Sequence, residues 1–259
     1  MTNYIFIDGS YFVFYRFHAL LAWWRLSHKD EPIDNPIENN DFVEKFKKLF
    51  IENIQKIEKK LSIDEPCIMV GKDCPRGDIW RHEHINAYKG KRAKNNVIKP
   101  FFKMAYDELF EKAGVSKILS HEKLEADDCI AIATRHYLKD ESNTITIITS
   151  DTDYLQLIED RVNIYNGKMK EIRTAKNSTM NSDMDLFVKI IMGDKSDNIP
   201  PVFPQKRGKA RAKKYYNEPE YFKEELKLLN VEENYHRNRL LIDFNMIPKQ
   251  YQNGIISLL

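Results

Sequence analysis

Acidic residues in this chain recur at the ends of segments that read as buried strands. Asp8 closes the run "YIFID" (4–8), Asp73 closes "PCIMVGKD" (66–73), and Asp151 and Asp153 follow "TITIIT" (144–149). In parallel α/β sheets, ligands gather just outside the carboxyl ends of strands, near a switch point. Three strands would therefore deliver acids to one edge. "EADD" adds Glu125, Asp127 and Asp128 at the start of a helical segment, with Glu125 and Asp128 three apart and on one face. "GDKSDNIP" adds Asp194 and Asp197 in a turn. Taken singly, each acid has an ordinary explanation, as a helix cap or a turn residue. That explanation does not account for their coincidence.

Convergence would be costly without cations. Two unit charges ~5 Å apart at an effective dielectric of ~20 repel by ~3 kcal/mol, against a net domain stability of ~5–15 kcal/mol. Either the carboxyls take up protons or divalent ions neutralise them. The donors are hard oxygens with no His or Cys placed among them, which favours Mg²⁺ or Mn²⁺ over zinc. Such a site beside basic segments suggests phosphodiester chemistry, with two ions ~3.5–4 Å apart serving water and leaving oxygen.

The elements that must position these groups alternate. Strands are expected at 4–8, 66–73, 116–120, 144–149 and 162–166, and helices at 42–61, 102–114, 124–138 and 182–193, the second stopping at Gly114 and the fourth at Gly193. No element is assigned to 9–41. Alternation of this kind implies an α/β fold, a parallel sheet with helices on both faces. Residues 205–259 read as helices separated by Pro219 and Pro248. The expected organisation is a core over 1–180 and a helical part over 181–259.

Composition narrows the function class. The 259 residues are 42% hydrophobic and 31% charged, as in a globular protein. No apolar run reaches the ~18–20 residues a membrane span needs, and "MTNYIFIDGSYF" does not read as a signal peptide. Cys67, Cys74 and Cys129 form no C-x-x-C, so an intracellular, reducing setting is expected. The net charge of +2 conceals two acid-free basic segments: Lys89, Lys91, Arg92, Lys94, Lys99 and Lys103, then Lys206, Arg207, Lys209, Arg211, Lys213 and Lys214. These suit a polyanion, or else are solvated surface.

Taken in order and spacing, "FIDGS", "EADD", "SDTDYLQL" and "GDKSDNIP" resemble the 5′-nuclease family of flap endonucleases, phage 5′→3′ exonucleases and polymerase-associated 5′-nuclease domains. The resemblance covers residues 4 to about 215 and implies a PIN-like core, most like small phage or viral members. It implies that Asp8, Asp73, Glu125 and Asp127 favour one metal and Asp151, Asp153 and Asp197 the other, with Asp128 and Asp194 bridging or acting through water. Asp78 rivals Asp73. It implies Arg81, Lys89 and Arg92 as phosphate contacts in "RHEHINAYKGKR", with Lys89 stabilising developing charge. It also implies an arch or gateway over about 82–114 and Tyr88 as a base-stacking ring, an ordinary half-buried aromatic being the other reading. His82 and His84 read as structural.

The family's glycine-rich helix–hairpin–helix is represented here by "DNIPPVFPQKRGKARAKKY", in which only Gly208 remains. The backbone phosphate contact and the K⁺ site of some relatives lose their glycines. Lys206, Arg207, Lys209, Arg211 and Lys213, with Lys91 and Lys94 upstream, would bind nucleic acid by charge. The expected activity is metal-dependent hydrolysis at 5′ ends or 5′ flaps of DNA, or of RNA primers on DNA, in replication or repair. The expected protein is a monomer, intracellular (in a host cell if viral), without membrane association and working beside separate replication proteins. A non-catalytic binding module of the same fold and a PIN-type ribonuclease are the competing readings.

Overall fold

The computed structural model describes residues 2–29, 33–91, 96–173, 178–205 and 207–259. Five strands form one sheet: β1 (Asn3–Asp8), β2 (Cys67–Gly71), β3 (Lys117–Leu119), β4 (Thr144–Ile148) and β5 (Val162–Tyr165). Their order is β3-β2-β1-β4-β5, and every neighbouring pair is parallel. The chain leaves β1 toward β2 and β3, then crosses back to β4, so the switch point lies between β1 and β4. The register aligns Asp8 with Gly71 and Ile7 with Ile148. Residues just past those partners, Asp73 and Asp151, therefore emerge at the same edge as Asp8.

Strand side chains alternate between two buried faces, which is why these strands are rich in Ile and Val. Ile5, Ile7, Ile68, Val70 and Ile148 face a core closed by α1 (Gly9–Ser27), α2 (Asn40–Gln55), α3 (Ile57–Leu61) and the continuous stretch from α4 (Lys99–Met104) to α5 (Phe110–Lys112). Phe6, Met69, Ile145, Ile147 and Ile164 face a second core, closed by α6 (Ala126–Tyr137) and the 3₁₀ turn over Thr152–Leu157. A helical part follows: α7 (Ser182–Met192), α8 (Lys209–Asn217), α9 (Pro219–Leu228) and α10 (Glu232–Ile242), around Val188, Ile191, Phe203, Ala212, Tyr215 and Phe222. Gly193 ends α7 with φ +65, where a Cβ would strike the Ile199 carbonyl. Among the described residues, no helix is long and apolar enough to cross a membrane.

Three departures from the sequence reading have physical causes. Residues 9–27, left unassigned, form the longest helix. Phe14, Trp23 and Leu26 are exposed while Phe12, Val13, Phe17, Leu20 and Trp24 are buried, so apolar residues cover most of the circumference and no stripe stands out. The helix expected over 42–61 breaks at Lys56 into α2 and α3. The helical part does not stay apart from residue 181 on: Phe244, Ile247 and Ile255 of the last segment, with α11 (Lys249–Ile256), return to the core behind β4. Within the stretch 82–114 expected as an arch or gateway, Ile98, Phe101, Ala105, Leu109 and Phe110 are core residues.

Candidate active site

Asp8 caps α1, accepting from the Tyr11 amide at 3.0 Å, and also accepts from the Thr149 hydroxyl at 3.4 Å and the Tyr154 hydroxyl at 3.3 Å. Asp73 accepts from the Ser10 hydroxyl and, at 2.8 Å, from the Ala126 amide at the start of α6. That contact needs α6 close to β2, which Gly71 permits: a Cβ there would lie 2.7 Å from the Ala126 carbonyl oxygen. Asp151 accepts from the Asp153 amide at 3.0 Å, capping the 3₁₀ turn after β4. Asp8, Asp73, Glu125, Asp127 and Asp151 line one cleft of about 720 Å³, together with Ser10, Tyr11, Phe14, Lys89 and Phe102. Asp73 lines it; its rival Asp78 is exposed and does not.

The acids of "EADD" divide by partner. Asp128 is fully buried, and both its oxygens are taken: Arg81 donates to each at 2.7 Å, the Trp80 indole donates at 3.1 Å and the Glu125 amide at 3.3 Å. Glu125 accepts from Arg81 at 3.0 Å, from the Tyr88 hydroxyl at 2.9 Å and from the Lys89 ammonium. Among the described residues, Asp127 accepts only from the Asp128 amide, at 2.7 Å. Among the described residues, no ion pair engages Asp8, Asp73, Asp127 or Asp151. Burial, then Asp73 and Asp151, push the Asp8 carboxyl up to about 7. Burial, then Asp128 and Glu125, raise Asp127 well above the carboxylate range.

Asp153, Asp194 and Asp197 form a second group, with carboxylate oxygens within 4.8 Å of one another. Lys189 of α7 pairs with Asp153 and, at 3.1 Å, with Asp194. Lys89 lies 3.6 Å from Asp197. Burial pushes Asp194 up, but the Ser196 hydroxyl and Lys189 outweigh it and hold the carboxyl down at about 2. Asp151 thus faces the first cleft and not the second group with which the sequence reading placed it.

Other assignments from the sequence shift as well. Arg81 is buried and spends its guanidinium on Asp128, Glu125 and the Leu241 carbonyl (2.7 Å), so it clamps the acids and presents no surface to a phosphate. Tyr88 is buried among Ile79, Ile190, Ile199, Leu241 and Ile242, so its ring has no open face for a base. Asp128 cannot bridge a metal while Arg81 and Trp80 hold it. Arg207 pairs with Glu225 at 3.0 Å and lies over Phe203, and Arg211 lies over Tyr215 and Tyr221. Lys91 is exposed. Lys209 and Lys213 line a second cleft with Lys189, Asp194 and Lys195. Arg92, Lys94 and Lys206 lie outside the described residues. The sequence reading missed Trp80, Thr149, Tyr154 and Lys189, which hold or face the acids. Lys189 had one signal, its place one helical turn before the Gly193 stop in "VKIIMGD".

The donor set fits divalent metal. Four carboxylates that make no ion pair among the described residues meet in a cleft, and all are hard oxygen ligands. The Cys74 thiol nearby is pushed up to about 12 by burial and then by Glu125, and its soft sulfur does not suit a hard cation such as Mg²⁺.

The fold is thus a parallel α/β sheet whose carboxyl edge, where such sheets take ligands, collects acids on both sides of its switch point. The chain belongs to the 5′-3′ exonuclease family, whose model "5'-3' exonuclease, N-terminal resolvase-like domain" matches residues 3–185. It is 27% identical over 205 residues to a ribonuclease H of Enterobacteria phage T4, covering 71% of this chain and 67% of that one. It is 33% identical over 159 residues to a 5'-3' exonuclease of Mycoplasmopsis pulmonis, covering 58% of this chain and 50% of that one. The chain thus spans half to two-thirds of the length of these relatives. The T5 D15 protein co-crystallised with metal ions shares the fold, at 19% identity, 98% coverage of both chains and a TM-score of 0.68. So does the bacteriophage T5 D15 flap endonuclease in a complex with DNA and metal ions, at 18% identity, 98% coverage of both and a TM-score of 0.66.

Proposed function

We propose that this protein hydrolyses phosphodiester bonds at 5′ ends or 5′ flaps of DNA, with Mg²⁺ as its metal and Mn²⁺ able to substitute. The observation that carries this reading is the set Asp8, Asp73, Asp127 and Asp151, four carboxylates crowded into one cleft with no ion pair to any of them among the described residues. Divalent metal bound there supplies Lewis-acid activation of water and of the phosphoryl oxygens. The chain's own residues do the rest. Arg81 fixes Glu125 and Asp128, and so fixes the start of α6 that carries Asp127. Lys89, held at the rim by Glu125, is placed to meet charge developing on a phosphate. Phe14 and Phe102 give the cleft an apolar wall. Lys195, Lys209 and Lys213 line the neighbouring cleft, where a duplex backbone would pass. The protein acts as a monomer inside the cell, alongside separate replication proteins.

The test is a 5′-labelled flap duplex incubated with the protein and Mg²⁺, with and without chelator. Cleavage near the junction is expected, abolished by chelator and by Asp127→Asn, with DNA binding by that variant retained. Cleavage that persists in chelator defeats the reading. A matched substrate with an RNA 5′ segment annealed to DNA measures whether primers are also cut. Faster cutting of unstructured single-stranded RNA than of either duplex would transfer the chain to ribonuclease chemistry.

A further inference from the structure

The two acidic groups differ in how they are neutralised, and the difference centres on Lys189. In the first cleft, Asp8, Asp73, Asp127 and Asp151 have no ion pair among the described residues. In the second group, the Lys189 ammonium already sits between Asp153 and Asp194. An ammonium in that place supplies the positive charge a divalent ion would bring, and it must leave before the ion's short carboxylate bonds can form. Lys189 also lines the second cleft, beside Lys195, Lys209 and Lys213. A rotation of its side chain therefore carries the ammonium from the carboxylates toward the cleft in which a DNA phosphate would lie.

From this geometry we infer that Lys189 is a positioning residue that guards the second carboxylate group: it occupies the group as an internal cation in the free protein and yields it to a divalent ion when a phosphate draws the ammonium outward. The inference rests on the metal-dependent reading above. Its consequence is coupling. A phosphate in the second cleft and an ion among Asp153, Asp194 and Asp197 each favour the other, by equal factors, because each stabilises the outward lysine. Among the described residues no lysine pairs with Asp8, Asp73, Asp127 or Asp151, so these four take an ion without DNA.

The experiment counts ions. Mn²⁺ binding is measured by calorimetry, with electron paramagnetic resonance of free Mn²⁺ as a second readout, on the whole chain with and without a DNA flap carrying a non-hydrolysable linkage. The wild-type protein is expected to take one ion tightly without DNA and two with it. Lys189→Met is expected to take two without DNA, its second site tightened about tenfold or more. Lys189→Arg, which keeps the charge, is expected to count like the wild type and shows that the position tolerates substitution. Two equal ions in the DNA-free wild type overturn the inference and leave the metal reading standing. A Lys189→Met protein that still binds one ion also overturns it. Absence of binding in every protein overturns both.

Discussion

Arg81 and Asp128 face each other through two hydrogen bonds of 2.7 Å, one from each terminal guanidinium nitrogen to each carboxylate oxygen, with both side chains almost wholly out of water. The fork geometry matches a planar guanidinium to a carboxylate, which lysine cannot reproduce. Arg81 also reaches Glu125 and the Leu241 carbonyl, so one side chain ties α6 to the end of α10. The pair thus joins the catalytic edge of the sheet to the helical part.

Removing one member strands the other as a buried charge, a change that costs about 3–5 kcal/mol. Arg81→Met is therefore expected to lower the unfolding free energy by that amount, read as a lower urea midpoint with an unchanged denaturant slope. Arg81→Lys is expected to recover only part of the loss. A variant as stable as the wild type would show that the clamp is not structural.

The crowded acids make metal-free stability fall with pH. Asp8, at about 7, binds its proton more tightly folded than unfolded, because burial and its neighbours Asp73 and Asp151 oppose its charge. Between an unfolded value of about 4 and that folded value, the unfolded chain has released a proton that the folded chain keeps. Stability therefore declines as pH rises through this window. Asp194 has the opposite sign: held at about 2, it contributes fully above the ordinary carboxylate range and loses that contribution as pH falls from that range through about 2. It does not affect the comparison between pH 5 and pH 8. In chelator, Tm is expected to be several degrees higher at pH 5 than at pH 8, read by scanning calorimetry. Mg²⁺ at pH 8 is expected to restore it, since an ion at a hundred times its Kd adds about 2.7 kcal/mol.

Lys89 separates chemistry from affinity. Its ammonium rests on Glu125 and lines the acidic cleft, and its backbone amide is fixed to the Asp197 carbonyl at 3.0 Å with φ +52. Lys89→Ala keeps that loop's backbone contact while deleting the charge. Single-turnover cleavage is expected to fall by about a hundredfold or more, with flap-DNA Kd changed by less than about tenfold. A matching loss in both would make Lys89 only an anchor.

How much of this was legible in the sequence follows from what each signal depends on. The five strands, and the acidic ends of three of them, were legible because β-rich runs and a following Asp need only local pattern and the rule for parallel sheets. Asp8, Asp73, Asp127 and Asp151 accordingly meet in one cleft. What the sequence hides is competition among near neighbours. Nothing in "EADD" says that Arg81 will take Asp128 and leave Asp127 open, because that depends on the residues from Trp80 to Lys89 folding over the start of α6. Nor does "SDTD" say that its two acids part company, Asp151 toward Asp8 and Asp153 toward Lys189. α1 escaped notice because a helix apolar on most faces carries no periodic stripe.

The basic residues after Gly193 divide into two kinds, and salt dependence tells them apart. Arg207 is committed to Glu225 and to the Phe203 ring, so it supports the helical part. Lys213 is exposed and lines the second cleft beside Lys195. Each phosphate neutralised contributes about −0.9 to the slope of log affinity against log salt. Lys213→Ala is therefore expected to make that slope shallower by about one, measured by fluorescence anisotropy on a flap duplex between 50 and 200 mM salt. Over that fourfold range the variant loses about threefold less affinity than the wild type. Arg207→Ala is expected to leave the slope nearly unchanged and to lower the unfolding midpoint instead, because its removal strips Glu225 of a partner and Phe203 of a covering cation. If Lys213→Ala leaves the slope alone while Arg207→Ala flattens it, the duplex runs over the other face of α8 and the second cleft has a different occupant.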